Sequence, residues 1–281
     1  MPPLCVAFQG EPGAYSDEAL TAAYGDVERL PCRTLPDVFA AVEGGAASSG
    51  IVPAENSYAG SINETYDLLL AHPLVIVGEV THAVEHCLLA RPGETLTTIE
   101  RVLSHPQALA QCETFLRRRG YEAVPATDTA GAARQVAQER LPRTGAIAGR
   151  RAAALYGLTI LAEAIQSASE NYTRFLLVAR DPAPPGPRAK TSIVFGTPNT
   201  PGALYRALGA FAQRNLNLAK LESRPARGRG AGGEDGARWE YVFYVDVEAD
   251  ATGEIMAAAL ADLRAVTTFL RVLGSYPRAE R

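Results

Sequence analysis

The chain has 281 residues, 47% of them hydrophobic and 21% charged, a composition typical of a globular protein with a sizeable core. Its formal net charge of -4, with no basic stripe along the sequence, argues against a nucleic-acid-binding protein. No apolar run approaches the roughly 20 residues that a bilayer requires, so we also expect no membrane partner.

The cysteines indicate a reducing environment. Cys5, Cys32, Cys87 and Cys112 are scattered without paired spacing, and the first four residues lack the charged and apolar regions of a signal peptide. We therefore expect reduced thiols in or near the core, and a cytoplasmic protein.

The first 180 residues alternate between segments with the patterns of strands and of helices. The predicted strands are 4–8, 50–53, 102–103, 146–148 and 176–179, together with an extended stretch over 74–89. The predicted helices are 17–24, 34–44, 62–70, 104–120, 128–138 and 150–156. Strands that alternate with helices predict α/β layers with a mostly parallel sheet.

Polar residues at the starts of these helices have the pattern of N-caps, whose side chains accept hydrogen bonds from free backbone N–H groups. The predicted caps are Ser16, Thr34 with Asp37, Ser61 with Glu64, Ser104 with Gln107, and Asp128. Three of these junctions, at 10–16, 55–61 and 104–107, combine small residues with free N–H groups and are suited to bind an anion. Most caps are purely structural, so the junctions alone leave both interpretations open.

A short polar stretch, Asn171 to Phe175, precedes the apolar strand 176–179. The guanidinium of Arg174 matches the geometry of a carboxylate. In an extended segment the hydroxyl of Thr173 would face the side opposite to Arg174, whereas in a turn the two would share a side. Together with the three junctions, this stretch predicts a small anionic ligand, although by itself it also fits a solvated loop at the start of a strand.

Two motif-like patterns do not support a cofactor. Gly10-x-x-Gly13 lacks the spacing of a dinucleotide fingerprint. His82-Ala83-Val84-Glu85-His86 has the letters of an inverted zinc-protease motif, but that chemistry requires a helix and this stretch has the pattern of a strand. We therefore expect no metal site, and we expect His105 to be a hydrogen-bonded junction residue rather than a base.

A proline-rich segment divides the chain, whose length predicts two domains. Residues 181–187 contain four prolines, which exclude both helix and strand interiors. We predict a region 1–180, a linker 181–190 and a domain 191–281. Beyond the linker, the predicted elements are strand 191–196, helix 201–215, strands 218–223 and 239–247, helix 252–266 and strand 270–276. This βαββαβ order predicts a ferredoxin-like module, with a mobile glycine-rich loop at 226–238.

Five segments in this order, GEPGAYS, PAENSYAGS, SHPQALAQC, DTAGAA and NYTRF, closely resemble the prephenate dehydratase family. Residues 201–204 and 222–225 resemble motifs of the ACT regulatory domain. The resemblance covers almost the whole chain and implies the single-activity form, without a chorismate mutase segment. It also implies a catalytic region of two α/β lobes, similar to the periplasmic binding proteins, with the active site in the cleft between them and an ACT domain after it.

The resemblance further implies that the substrate is prephenate, which loses its ring hydroxyl and carbon dioxide to give phenylpyruvate in phenylalanine biosynthesis, with no metal or organic cofactor. The catalytic residues that it implies are Thr173, Asn56 and Gln111. The substrate-binding residues that it implies are Glu55, Ser57, Ser61, Ser104 and Arg174. For Glu55, an ordinary loop carboxylate or a residue that orients Arg174 is the alternative, since a carboxylate repels a dianionic substrate.

In the ACT domain, the resemblance implies a binding site for L-phenylalanine at a subunit interface, and hence feedback regulation. The implied binding residues are Gly202, Ala203 and Leu204 on one side and Glu222, Ser223 and Arg224 on the other. We expect a homodimer or homotetramer. Two alternatives stay open: a dehydratase that acts on arogenate or on both compounds, and a non-catalytic amino-acid sensor.

Overall fold

The structure, a computed structural model, describes residues 4–168, 170–225 and 241–279. The predicted glycine-rich loop at 226–238 lies outside these residues. The chain forms two compact units, Met1–Leu68 with Val80–Leu176 and Leu69–Glu79 with Leu177–Arg281. All four cysteines are free thiols. No helix in the described part of the chain has both the length and the apolar character to cross a bilayer.

The first sheet has the strand order β2-β1-β3-β11-β5, with the short β4 paired to β3. Its elements, in chain order, are β1 Cys5–Gln9, α1 Tyr15–Tyr24, β2 Glu28–Cys32, α2 Leu35–Glu43, β3 Ser49–Asn56, β4 Gly60–Ser61, α3 Asn63–Ala71, β5 Val75–Ala83 and β11 Tyr172–Ala179. β1 lies between β2 and β3 and is parallel to both. The residues of β1 at its centre are fully buried, as expected for a strand covered on both faces.

The second sheet has the order β10-β6-β9-β7-β8. Its elements are β6 Cys87–Ala90, β7 Arg101–Ser104, α4 Pro106–Gln111, α5 Glu113–Arg119, β8 Glu122–Pro125, α6 Thr129–Gln138, β9 Thr144–Ala148, α7 Arg150–Tyr156 and β10 Thr159–Ala162. β7 is parallel to β8 and β9, whereas β6 is antiparallel to β9 and β10. The alanine-rich faces of α6 and α7 pack on this sheet in one buried cluster, because small side chains let a helix approach a sheet closely.

The C-terminal module consists of β12 Ala189–Gly196, α8 Ala203–Ala212, β13 Leu218–Pro225, β14 Tyr241–Val247, α9 Glu254–Val266 and β15 Phe269–Pro277. Its antiparallel sheet has the order β13-β14-β12-β15, which confirms the predicted ferredoxin-like arrangement. Residues such as Phe195, Phe211, Phe243 and Leu260 form the core between this sheet and the two helices. The two sheets of the N-terminal region and this module together confirm the predicted fold class.

Local capping chemistry was predicted correctly at two helices and wrongly at two others. Thr34 and Asp37 form a capping box at α2, and Asp128 accepts a hydrogen bond from the Gly131 N–H group at α6. Ser16, however, does not cap α1, because the helix begins at Tyr15, two residues earlier than predicted, and its N-cap is Ala14. Here the carboxylate of Asp17 turns back to accept from the backbone of the preceding loop, so the hydroxyl is not needed.

The predicted helix 104–120 and the predicted end of the strand 50–53 also required correction. The cap of α4 is His105, whose Nδ1 accepts from the Gln107 N–H group, whereas Ser104 ends β7. The helix stops at Gln111 and restarts at Glu113 as α5. β3 continues through Asn56, because Glu55 and Asn56 pair with the short strand β4.

Residues Leu69–Glu79 group with the C-terminal module. The guanidinium of Arg271 donates hydrogen bonds to the carbonyl groups of Leu70, His72 and Leu74. Gly274 lies so close to this segment that an added Cβ atom would be 2.1 Å from the Ile76 carbonyl oxygen. The predicted boundaries at 180 and 190 remain predictions.

Candidate active site

A cavity of about 370 Å³ in the first unit collects polar residues from both sheets. Such a volume suits a small organic ligand. From the first sheet it is lined by the loop after β1, by the end of β3, and by Thr173 and Phe175 of β11. From the second sheet it is lined by His86, by the starts of α4 and α6, and by Gln111. The three predicted anion-binding junctions each contribute residues to it, and the start of α6 adds a fourth.

Strand alternation determines which residues of the stretch 171–175 reach this cleft. Residues 172–179 form β11, so neighbouring side chains point to opposite faces of the sheet. Thr173 and Phe175 line the cleft, and Arg174 lies on the other face. The alternative in which Thr173 and Arg174 share a turn is therefore excluded.

Asn56 and Thr173 meet at the centre of the cleft. The Asn56 Nδ2 group donates to the Thr173 hydroxyl at 3.0 Å and to the Asn171 Oδ1 atom at 2.8 Å. All three side chains are at least nine-tenths buried. The Asn56 amide cannot be turned over without loss, because its Oδ1 atom accepts from the backbone N–H groups of Tyr58 and Ala59 at 3.1 and 2.9 Å.

This contact leaves the hydroxyl proton of Thr173 unused. A threonine hydroxyl has one donor and two acceptor sites, and here Asn56 occupies an acceptor site. No other described residue accepts a hydrogen bond from the Thr173 hydroxyl. Its proton is therefore available to a molecule in the cleft.

Gln111 continues the hydrogen-bonded chain into the second sheet. Its Oε1 atom accepts from Asn171 Nδ2 at 3.2 Å and lies 2.6 Å from Nε2 of His86. On the other side of the imidazole, the Tyr15 hydroxyl lies 2.7 Å from Nδ1. We call these six residues the relay; in spatial order they are Tyr15, His86, Gln111, Asn171, Asn56 and Thr173.

The relay carries no charge near neutral pH. Burial lowers the pKa of His86 below its ordinary value of 6.5, although the hydrogen bond to Gln111 opposes this shift. Burial raises the pKa of the Tyr15 hydroxyl, with a smaller contribution from the carboxylate of Glu18. The imidazole is therefore neutral, the phenol keeps its proton, and the other members are amides and a hydroxyl.

The structure does not bring all predicted site residues to this cleft. Arg174 Nη1 lies 3.0 Å from Glu55 Oε2 on the opposite face of the sheet, beside a second cavity of about 330 Å³ that Ser57 and Ser61 also line. The hydroxyl of Ser104 is fully buried and donates to the Ile147 carbonyl at 2.7 Å. The three predicted catalytic residues, Thr173, Asn56 and Gln111, therefore come together at the cleft. The five predicted substrate-binding residues do not join them there.

Arg33 and three relay residues line the cleft without having been assigned to it from the sequence. Arg33, after β2, forms no hydrogen bond or ion pair with any other described residue. No local pattern marks it, because β2 itself was not predicted. Asn171 belongs to the family-like segment 171–175, but no role was predicted for it. His86 was examined only as a possible zinc ligand.

The segment 82–86, which has the sequence of a zinc-protease motif, has a different role in the structure. His82 lies in β5, and His86 follows β5 just before β6. His82 Nε2 is 3.0 Å from a carboxylate oxygen of Glu18, and both ring nitrogens of His86 belong to the relay.

In the C-terminal module, a cavity of about 240 Å³ lies between 197–205 and β14. It is lined by Gly202, Ala203 and Leu204 together with Tyr241 and Phe243. Of the predicted partners, register places Glu222 opposite Tyr244 and Arg224 opposite Val242, on the sheet face away from α8 and α9, whereas Ser223 lies opposite Phe243 on the face of the cavity. Glu222 and Arg224 therefore do not reach this cavity within one chain.

Two known protein families match most of this chain. A model of the prephenate dehydratase family matches residues 6–183, and a model of the ACT domain matches residues 191–265. Arogenate dehydratase/prephenate dehydratase 2, chloroplastic, from Arabidopsis thaliana is 49% identical over 275 residues, which are 97% of this chain and 72% of that protein.

Two solved structures are similar over nearly the whole chain. A prephenate dehydratase in complex with L-Phe from Arthrobacter aurescens is 34% identical, with a TM-score of 0.88 over 98% of this chain and 90% of that one. A protein named GqqA and described as a novel type of quorum quenching acylase is 39% identical, with a TM-score of 0.88 over 98% of both chains.

The cytoplasmic location expected from the sequence is contradicted by the relatives. The Arabidopsis protein above is named as chloroplastic, and so are two more Arabidopsis relatives, 47% and 48% identical to this chain. The names thus place these relatives, rather than this chain, in a plastid. Free cysteines indicate only a reducing environment and do not distinguish the cytoplasm from such an organelle.

Proposed function

We propose that prephenate is the preferred substrate of this chain, which belongs to the prephenate dehydratase family and is a carbon–oxygen lyase with an ACT domain. The observation that supports this activity most is the contact between Asn56 and Thr173. It leaves a buried hydroxyl with a free proton facing a cleft of suitable size, which supports the dehydration itself, while the preference for prephenate over arogenate rests on the charged groups of the lining. A reaction that expels a hydroxyl group needs a hydrogen-bond donor at this kind of position.

The reaction is an elimination whose atoms balance without a cofactor. The electron pair of the bond to the ring carboxylate moves into the ring as the bond to the ring hydroxyl breaks. One proton converts the departing hydroxide into water, so prephenate and a proton give phenylpyruvate, carbon dioxide and water. Formation of the aromatic ring drives the reaction, and the protein has only to position the dianion and to assist the leaving oxygen.

Thr173 assists that oxygen as a hydrogen-bond donor. An alcohol has no pKa near neutrality, so complete proton transfer from it is unfavourable. A donor held in place before the reaction stabilises negative charge as it develops on the leaving oxygen. Asn56 holds Thr173, and Gln111 holds Asn171, which in turn accepts from Asn56.

The two carboxylates of prephenate need different surroundings. The side-chain carboxylate remains in the product, and Arg33 is the cation at the cleft that has no other partner among the described residues. The ring carboxylate must leave as neutral carbon dioxide, which a cation would hinder. The apolar part of the lining, Pro53, Ile62, Val84 and Phe175, suits that group.

Replacement of Arg33 by Gln is expected to raise KM for prephenate by roughly 10- to 100-fold, the effect of losing a charged hydrogen bond, with a much smaller change in kcat. Steady-state kinetics measure both constants. Arg118→Gln is the matched control, because Arg118 is exposed on α5 and does not line the cleft. An equal rise in KM for both variants would show a general charge effect and would remove Arg33 from the site.

Substrate binding by Glu55, Ser57, Ser61, Ser104 and Arg174 remains a prediction from the family. The position of Glu55 and Arg174 behind the sheet favours an indirect role. Glu55 precedes Asn56 on β3 and Arg174 follows Thr173 on β11, so their ion pair helps to hold these two strands in the register that joins Asn56 to Thr173.

Arogenate is the second candidate substrate, because the Arabidopsis relative carries both activities in its name. Arogenate has an ammonium group where prephenate has a ketone, and an ammonium group requires an acceptor, best a carboxylate. Among the described residues that line the cleft, the carboxylate is that of Asp128, and it already caps α6. This favours prephenate.

Regulation by L-phenylalanine is supported by the Arthrobacter aurescens structure, which contains that amino acid. We place it in the cavity at Gly202, Ala203 and Leu204, with Glu222, Ser223 and Arg224 supplied by a second copy of the chain. Among the described residues β13 is the edge strand of its sheet and carries the exposed Leu221, which suits it to pair with another copy. The dimer or tetramer remains a prediction.

The test is a turnover assay with prephenate and with arogenate, each with and without L-phenylalanine. We expect a higher kcat/KM for prephenate and a lower rate when L-phenylalanine is present. A higher kcat/KM for arogenate would overturn the substrate preference and retain the enzyme class. A rate that L-phenylalanine does not change would overturn the regulatory part.

If a folded sample converts neither compound but binds L-phenylalanine, the sensor alternative replaces the proposal. Because GqqA is described as an acylase, the same sample should also be assayed for acylase activity. The relay supports the dehydratase instead, since its free proton is placed to assist a leaving oxygen.

A further inference from the structure

The tyrosine and histidine at the far end of the relay have no assigned role in the reaction. We propose that His86 is a positioning residue: its Nε2–H tautomer, favoured by the Tyr15 hydroxyl, holds the Oε1 atom of Gln111 toward the imidazole and so stabilises the hydrogen bonds that run from Gln111 to Thr173. This inference rests on the proposed function of Thr173 for its catalytic consequence, but the tautomer itself is a property of the protein without substrate.

Which group donates in each hydrogen bond of the relay can be derived by starting from Asn56, next to Thr173. The Oδ1 atom of Asn56 is held by two backbone N–H groups, so its Nδ2 group must face Asn171 and Thr173. Asn171 therefore presents its Oδ1 atom to Asn56 and its Nδ2 group to Gln111. Gln111 must accept from Asn171, which turns the Oε1 atom of Gln111 toward His86 as well.

An amide oxygen at 2.6 Å from Nε2 requires a proton on that nitrogen. In the neutral imidazole, Nδ1 is then an acceptor, and the Tyr15 hydroxyl at 2.7 Å is the donor that it needs. His86 is 2% exposed, so its ring nitrogens depend mainly on protein groups as hydrogen-bond partners. The lowered pKa of His86 agrees with the neutral form.

The opposite tautomer would disrupt the relay. A lone pair on Nε2 would face the Gln111 oxygen, and the repulsion would favour rotation of the Gln111 amide. Its NH₂ group would then face the NH₂ group of Asn171, and that hydrogen bond would be lost. Asn171 would no longer be held in place as an acceptor for Asn56, and Asn56 would lose part of the support that orients Thr173.

The Tyr15 hydroxyl explains why the required tautomer is favoured. It lies on α1, 2.7 Å from Nδ1 and 3.1 Å from the Glu85 carbonyl oxygen, so its single proton is directed mainly at the nearer acceptor, Nδ1. The edge of its ring also packs against the imidazole, with ring centroids 5.5 Å apart. A donor in this position stabilises the imidazole only when Nδ1 is unprotonated.

Nitrogen-15 NMR of the histidine side chains in the native chain tests the tautomer directly, with the His86 signals assigned through His86→Gln. We expect one neutral His86 species protonated at Nε2. In Tyr15→Phe we expect a second species protonated at Nδ1, because the donor to Nδ1 is gone. A native spectrum with the proton on Nδ1 would overturn the proposal, whether or not the chain converts prephenate.

Kinetics of folded variants test the consequence. His86→Leu removes the donor to Gln111 and is expected to lower kcat about tenfold, the effect of one lost buried hydrogen bond, with KM nearly unchanged. His86→Gln keeps an N–H donor at similar reach and is expected to restore most of the rate. Equal rates for the Leu and Gln variants would overturn the role of the donor.

Two matched controls separate this effect from general loss of contacts. Tyr156→Phe removes another tyrosine hydroxyl, which donates to the Pro12 carbonyl at 2.7 Å, and His82→Gln removes an imidazole that contacts Glu18. Both are expected to leave kcat unchanged and the His86 spectrum native. Tyr15→Phe is expected to lower kcat, and an equal loss in Tyr156→Phe would reject the specific role of Tyr15.

Discussion

Replacement of Thr173 by Ala is expected to lower kcat for prephenate by roughly 10²- to 10³-fold, the usual cost of losing one preorganised donor to a developing oxyanion. The hydroxyl is the group whose proton is free to meet the leaving oxygen, and Asn56 already occupies an acceptor site of that hydroxyl. KM is expected to change little, because the hydrogen bond strengthens only as the bond to the leaving oxygen breaks. Steady-state kinetics at saturating prephenate measure this loss.

Two further variants at this position separate chemistry from packing. Thr173→Ser keeps a hydroxyl and is expected to retain most of the rate, whereas Thr173→Val keeps the shape and is expected to lose as much as Ala. Circular dichroism and thermal unfolding check that all three fold. A kcat for Thr173→Val within a fewfold of the native value would exclude Thr173 as the donor to the leaving oxygen.

Replacement of Glu79 by Ala is expected to lower the free energy of unfolding by about 3–5 kcal/mol, the cost of leaving one member of a buried ion pair without its partner. Both oxygens of this carboxylate accept from Lys190, at 2.7 and 2.9 Å, and the two side chains are at most 10% exposed. Without Glu79, a buried ammonium group must either be rehydrated or lose its proton. Urea-induced unfolding followed by circular dichroism measures the change.

The double replacement of Glu79 by Leu and Lys190 by Met is the control. It removes both charges and fills their space with apolar atoms, so it is expected to be much closer to the native stability than Glu79→Ala. If the single and double variants were equally destabilised, lost packing rather than an unpaired charge would explain the result.

Features that depend on neighbouring residues could be predicted well from the sequence. The capping box of Thr34 and Asp37 and the cap at Asp128 require only residues three positions apart, and both are present. The order of elements in the C-terminal module follows from the spacing of its apolar segments, and the sheet has the expected topology. By contrast, the prediction that Ser16 caps α1 was wrong. The sequence gives no sign that the Asp17 carboxylate accepts a hydrogen bond from the backbone of the loop before the helix.

The reaction class was determined by the sequence alone, because the order of the five recognised segments identifies the family without any coordinates. The sequence also supplied three residues that meet at the cleft, Asn56, Gln111 and Thr173. The sequence did not show that Arg174 and Glu55 lie on the other face of the sheet from these three residues. Only the assignment of 172–179 to a strand does so, because alternation along a strand sends neighbouring side chains to opposite faces.

The tertiary structure decided which residues support these three. Tyr15, His86 and Asn171 are far apart in the sequence, and both sheets must form before their side chains meet each other and Gln111. Each alone is an ordinary polar residue, and no spacing in the chain links one to the next. Their hydrogen bonds exist because folding removes these groups from water, so that each donor must find an acceptor within the protein.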